Sequence, residues 1–177
     1  MLNLDLAFEV DCKEYSEEPW TNLIQGPDLW LHLFSHWLRH LETDLFSDSY
    51  IETYTLGLRL VNDTEIRLLN KVWRGMDQST DVLSFPIHEC LLLDLIGKDN
   101  NKKNISIELG DIIISIDTAA RQATEHKYSL EEELHWLASH GILHLIGFDH
   151  PDQKSLSRML NYQEKLLSKR YHDNSKN

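Results

Sequence analysis

The chain has 177 residues, 41% of them hydrophobic and 26% charged, and a formal net charge of −12. That length and balance suit one soluble domain with its own hydrophobic core, and no apolar run is long enough to span a bilayer. The negative charge excludes a protein that coats nucleic acid through its overall field, so any cations that serve RNA or DNA have to be found locally.

In chain order, the opening stretch "MLNLDLAFEVDCKEY" lacks the basic start and apolar core of a signal peptide. It reads as native structure in a cytoplasmic protein with no membrane association. Residues 2–10 alternate, with Leu2, Leu4, Leu6 and Phe8 on one side, and predict a half-buried strand. Cys12 and Cys90 form no CxxC motif and read as free thiols. "GPDLWLHLFSHWLRHLE" carries Leu29, Leu33, Trp37 and Leu41 four apart, an amphipathic helix. A second strand spans 50–61. A helix spans 62–75, capped by Asn62 or Asp63 and stopped at Gly75. A short strand, 80–87, closes at Pro86, and a fourth covers 109–117. Between these two, the polar second half of 88–108 reads as a mobile loop or hairpin tip. Three helices complete the chain, over 117–127, 130–146 and 152–170; the second opens on a Ser129/Glu132 capping box, with Glu131 to Glu133 complementing its positive end. The order predicts an α+β fold: a single domain over 1–170, a mixed sheet of about four strands packed with helices, and a polar tail at 171–177.

The stretch with chemical content is "HGILHLIGFDH", residues 140–150. His140 and His144, four apart, share one helix face, and the helix around them is apolar on nearly every side. Buried imidazoles need partners. Gly147 permits a left-handed stop, after which His150 can turn back toward the same point. Three neutral nitrogens with one open position describe a catalytic zinc site, so one Zn2+ is the expected cofactor. An i, i+4 pair alone would read as two core histidines; the glycine turn and the third histidine tip the reading to metal. His32, His36 and His40 also recur at four-residue steps, but eight helical steps rise about 12 Å and no third ligand is close in sequence. They read as surface or semi-buried histidines.

The spacing of His140, His144, Gly147 and His150 equals that of the metzincin pattern, H-E-x-x-H-x-x-G-x-x-H. Metzincins use the glutamate as general base, and Gly141 stands there instead. A protease would need a carboxylate from elsewhere, with Asp149 and Asp111 as the nominees.

"HGILHLIGFDH" resembles the H-G-x-L-H-L-x-G-[YF]-D-H signature of the YbeY family of bacterial endoribonucleases. "LNKVWRGMDQSTDVLSFP", 69–86, resembles that family's L-N-x-x-[YFW]-R-x-x-x-x-x-T-D-V-L-S-F-P block, and "LGDIIIS", 109–115, its L-G-D-I block. The resemblance covers roughly residues 50–165. It implies a small mixed sheet with the histidine helix at its centre and one zinc on His140, His144 and His150. It also implies metal-dependent cleavage of single-stranded RNA, with roles in ribosomal RNA maturation and ribosome quality control, and Arg74 as a functional residue near the metal. Ribosomal RNA and the ribosome or its proteins are the implied partners. A zinc-stabilised assembly factor without catalysis, and a metalloprotease-like hydrolase, are the competing readings. Whether water or the ribose 2′-OH attacks stays open.

A nuclease also needs cations. With Ile66 at 0° on the helix 62–74, Arg67, Lys71 and Arg74 fall at about 100°, 140° and 80°, and Leu68, Leu69, Val72 and Trp73 between about 200° and 340°. Such a stripe ordinarily means a solvated face. Here it is also the candidate RNA-binding surface, with Arg74 suited to hold phosphate through paired donors. Trp73, Phe85, Phe148 and Trp136 lie inside apolar patterns and read as core rather than as base-stacking platforms.

Overall fold

The computed structural model describes residues 3–45, 51–88 and 105–168. Within them lie strands β1 (Asn3–Val10), β2 (Ile51–Val61), β3 (Val82–Pro86) and β4 (Ile105–Ser115). The α-helices are α1 (Gly26–Leu45), α2 (Asp63–Arg74), α3 (Ile116–His126), α4 (Leu130–Leu145) and α5 (Gln153–Ser168). The expected loop tip within 88–108 lies largely outside these residues, as do Cys90 and the tail at 171–177; residues 105–108, expected in that loop, instead open β4, which ends at Ser115 rather than at 117.

The four strands form one mixed sheet in the order β1-β2-β4-β3, so the α+β fold with a four-stranded sheet is what the chain adopts. β1, β2 and β4 run parallel, joined by crossovers through α1 and α2, and β3 is an antiparallel edge. Two single-turn 3-10 segments, Lys13–Tyr15 and Pro19–Thr21, precede α1 and have no counterpart in the sequence-based expectations. Single turns this short leave no periodicity to read.

The sheet separates two unequal hydrophobic regions. Leu4, Tyr54, Leu56, Leu58, Leu60, Ile107, Leu109, Ile112 and Ile114 point into the main core beneath α1 and α4. On the other face a small cluster of Val61, Ile66, Leu83 and Ile113 seats α2. Leu109 and Ile112 both point inward although three residues apart. The register of β2 against β4 slips there, with Thr55 opposite Glu108 and Leu56 opposite Gly110, so an added residue in β4 restores the alternation. Gly110 has φ 119°, and a Cβ there would lie 2.1 Å from the Phe85 carbonyl oxygen; close approach of β3 demands glycine.

α4 runs through the main core as its periodicity implied: Leu134, Leu137, Ala138, Gly141, Ile142, Leu143 and Leu145 are all buried. Its N-terminus has the full capping box, Ser129 Oγ accepting from Glu132 N–H while Glu132 Oε2 accepts from Ser129 N–H. α2 is capped by Asn62 and stopped by Gly75 at φ 71°, also as expected.

The outer surface of α2 differs from the wheel's expectation. Ile66 and Asn70 are its buried side chains, while Leu68, Val72 and Trp73 are 59%, 75% and 67% exposed. The helix reaches the sheet at a corner, over β3 and β4, where half-buried Leu69 packs beside Ile66, and only the Leu68, Val72 and Trp73 part of its apolar arc stays largely exposed. Trp73 is therefore not a core residue; it meets Phe85 edge-on at 5.7 Å. Trp136 is likewise exposed, whereas Phe148 is buried.

Candidate metal centre

His140 and His144 occupy the last two turns of α4, half-buried, and their Nε2 atoms approach to 3.1 Å. The helix ends as the glycine foretold. Gly147 takes φ 97°, and the Gly147 and Phe148 N–H groups each donate to a carbonyl, of His144 and Leu143, at 2.9 Å. Phe148 then anchors the turn in the core, 5.1 Å from the Tyr162 ring and 5.3 Å from the Arg158 guanidinium. That anchor brings the His150 ring to 5.5 Å from His140 and 5.2 Å from His144.

One ring nitrogen from each histidine lies within 4.8 Å of the others, so His140, His144 and His150 could hold a metal ion. Two electrostatic features fit the same use. Burial holds the His140 imidazole below its usual range. Burial, then the neighbouring His140 and His150, holds His144 down to about 4. Both are neutral near pH 7, as ligands must be. The two facing Nε2 atoms, 3.1 Å apart, are close enough to serve one ion together.

Two polar residues support the site that the motifs did not single out. Asp81, at the start of β3, acts on His140 through its negative charge. It is held by Val82 N–H at 2.8 Å and by Gln122 Nε2 at 3.0 Å. Gln163, fully buried on α5, donates its amide to the Trp136 carbonyl at 2.9 Å. Its Oε1 is buried without a donor in hydrogen-bonding geometry, yet it approaches His140 closely enough to favour the protonated ring. Such an outer partner fixes the tautomer and orientation of a metal-binding histidine. Asp81 was findable within "TDVLSFP"; Gln163 carries no local signal, being one polar residue in an amphipathic helix.

Gly141 has a packing reason. A Cβ there would lie 2.8 Å from Ile112 Cγ2 of β4. The position is pressed against the sheet, and no carboxylate could be carried there. The nomination of Asp111 as a replacement base fails, because its side chain lies over Gly57 on the face of the sheet away from α4. Asp149 does adjoin the trio, accepting from the His150 N–H at 2.8 Å.

The cation stripe is on α2, exposed, on the sheet face that carries Ile113, while α4 packs on Ile112 of the opposite face. Arg67 Nε and Lys71 Nζ each reach Asp77 at 2.8 Å. They are brought together, and one carboxylate offsets part of their charge. Arg74 is exposed in the last turn and, among the described residues, makes no hydrogen bond or ion pair with the histidines or any other group. His36 and His40 meet ring to ring at 4.6 Å, and His32 Nδ1 lies 2.6 Å from the Asp28 carbonyl; they form no metal cluster among the described residues.

The sequence profile of the family described as endoribonuclease YbeY matches residues 21–171. The chain belongs to the YbeY family. It is similar to the endoribonuclease YbeY of Synechococcus sp. strain RCC307, 45% identical over 161 residues that cover 91% of this chain and 93% of that protein. The endoribonuclease YbeY of Synechococcus sp. strain CC9902 is 41% identical over 171 residues, 94% of this chain and 91% of that one. Among solved structures, a Thermotoga maritima protein determined in solution matches with a TM-score of 0.51 at 24% identity, covering 92% of this chain and 89% of that chain; this is a likeness of fold. In this YbeY-family chain the "LNKVWRG" block also has a structural duty, since buried Asn70 donates to the Gln78 carbonyl at 2.9 Å and ties α2 to the loop leading into Asp81.

Proposed function

We propose that this chain is a zinc-dependent endoribonuclease that cleaves single-stranded RNA in the cytoplasm, in ribosomal RNA processing and ribosome quality control, with the ribosome or its proteins as partners. The observation that carries the reading is the convergence of three imidazole nitrogens at the end of α4, in a chain of the YbeY family. Three histidines with no fourth His, Cys or carboxylate in the cluster, among the described residues, match a catalytic rather than a structural zinc site. Zinc supplies Lewis acidity toward a phosphoryl oxygen and lowers the pKa of water.

The chain's own residues do the rest. His140, His144 and His150 would hold the ion, with Gln163 orienting His140. Arg74 binds phosphate through its paired donors and offsets charge that develops on the phosphoryl oxygens. Arg67 and Lys71 hold the RNA backbone and exchange Asp77 for phosphate as they do so. From that face the strand passes the edge strand β3 to reach the histidines, so the proposed path crosses Ser84 and Asp81. No helix among the described residues is long and apolar enough to cross a membrane.

The test compares the purified protein with His144→Ala. Metal content, cleavage of an unstructured RNA and cleavage of casein are measured together. The expected result is about one zinc per chain and RNA cleavage in the parent, neither of them in the variant, with casein intact in each. Zinc without cleavage of either substrate points to a zinc-stabilised assembly factor, and casein hydrolysis to a protease. A 2′,3′-cyclic phosphate end on the product identifies the ribose 2′-OH as nucleophile; a 5′-phosphate on one fragment with a 3′-hydroxyl on the other identifies water.

A further inference from the structure

Away from the histidine trio, α1, the segment before it, the N-terminal turn of α4 and the C-terminal end of α5 enclose a cavity of about 660 Å³. This is the size of a small-molecule site. Trp20, Trp37, Leu166 and His135 are among its walls, and Asp28 and Glu131 stand on it from two different helices. Among the described residues no lysine or arginine lines it. The His135 ring packs edge-on against Trp20 at 4.2 Å and Trp37 at 6.4 Å. Burial holds His135 far below the usual histidine range, to about 4, so it contributes a neutral ring and no positive charge.

Aromatic faces attract organic cations and carboxylates pair with them, while phosphate is repelled. The same cavity therefore does not suit RNA. Acidic groups on two separate helices suit a ligand with more than one ammonium group on an apolar chain. We infer that this cavity binds a free aliphatic polyamine, its methylene chain against the half-buried Trp20, Leu29 and Leu167 and its ammonium groups at Asp28 and Glu131. Polyamine binding is independent of the proposed nuclease chemistry, since none of these residues belongs to the metal centre.

The test is calorimetric titration of the full-length protein with spermidine, 1,6-diaminohexane, hexylamine and adipate, with indole N–H shifts followed by NMR. Spermidine and the diamine are expected to bind, to shift the Trp20 signal, and to bind roughly tenfold more tightly than hexylamine, with adipate not binding. The double variant Asp28→Asn/Glu131→Gln is expected to weaken spermidine by roughly tenfold. Glu108→Gln, an exposed acid on β4, serves as control for general attraction to an acidic chain and is expected to change nothing. The inference is overturned if spermidine does not bind, if adipate binds equally, or if the control weakens binding as much as the double variant. It is also overturned if a lysine tripeptide displaces spermidine at equal concentration, which assigns the cavity to a protein side chain.

Discussion

At the scale of single residues, Gly141 shows how one position serves packing and chemistry at once. Its missing side chain lets α4 lie on Ile112, so Gly141→Ala forces a shift in a fully buried isoleucine. We expect a loss of about 1–3 kcal/mol, read by urea unfolding at pH 7. A variant as stable as the parent would mean that Ile112 has room to move. Gln163 gives a second expectation. Replacing it by leucine keeps much of the volume and removes the amide beside His140. Zinc affinity, measured by competition with a chelating dye, should fall by about tenfold or more, with unfolding stability of the metal-free protein little changed. Unaltered affinity would assign Gln163 to holding the Trp136 carbonyl alone.

At the scale of elements, α2 and α4 make an instructive pair. α4 is apolar all round and sinks into the core, where its capping box, glycine stop and histidine face follow from sequence. α2 has a clear amphipathic wheel, yet it touches the sheet through a narrow line at Ile66 and Leu69 and leaves Leu68, Val72 and Trp73 in solvent. A wheel shows which residues share a face; how wide a face gets covered depends on what stands opposite, and only the position of α2 at the sheet corner decides that. Its cation stripe is pre-paired to Asp77, whose carboxyl is held below the usual range by hydrogen bonds from Lys71 and Arg67. Substituting Arg67 and Lys71 together by alanine should weaken RNA binding and flatten its salt dependence. The slope of log affinity against log salt should shrink by about 0.7 for each phosphate that is no longer neutralised. An unchanged slope removes the stripe from the RNA path. Asp77→Asn, which frees both cations, should act in the opposite direction.

At the scale of the whole molecule, the fold buries imidazoles as neutral rings and so depends on pH. His135 and His144 titrate near 4 in the folded chain against a usual value of 6.5. The unfolded chain takes up these protons first as pH falls, so the stability they contribute is complete above about pH 6.5 and is lost progressively toward pH 4. In metal-free protein, unfolding free energy should drop by up to about 1.4 kcal/mol per pH unit per histidine across that window. Denaturant titrations at several pH values, with His135→Phe removing its share of the slope, check this. Zinc added at pH 7 should raise the melting temperature, and the gain should disappear toward pH 4 as protons compete for the His144 nitrogen.

The sequence by itself determined the strands, the helix caps, the buried helix and the histidine trio, because periods of two and 3.6, glycine stops and ligand spacings are short-range properties of the chain. The resemblance carried by its three blocks added the family. What only the tertiary structure decided were relations between distant segments: Gly141 against Ile112, Gln163 and Asp81 beside His140, Asp111 turned to the opposite face, and Trp73 left uncovered. Each depends on where one element lands on another, a placement set by the summed packing of the whole core and carried by no single stretch of residues.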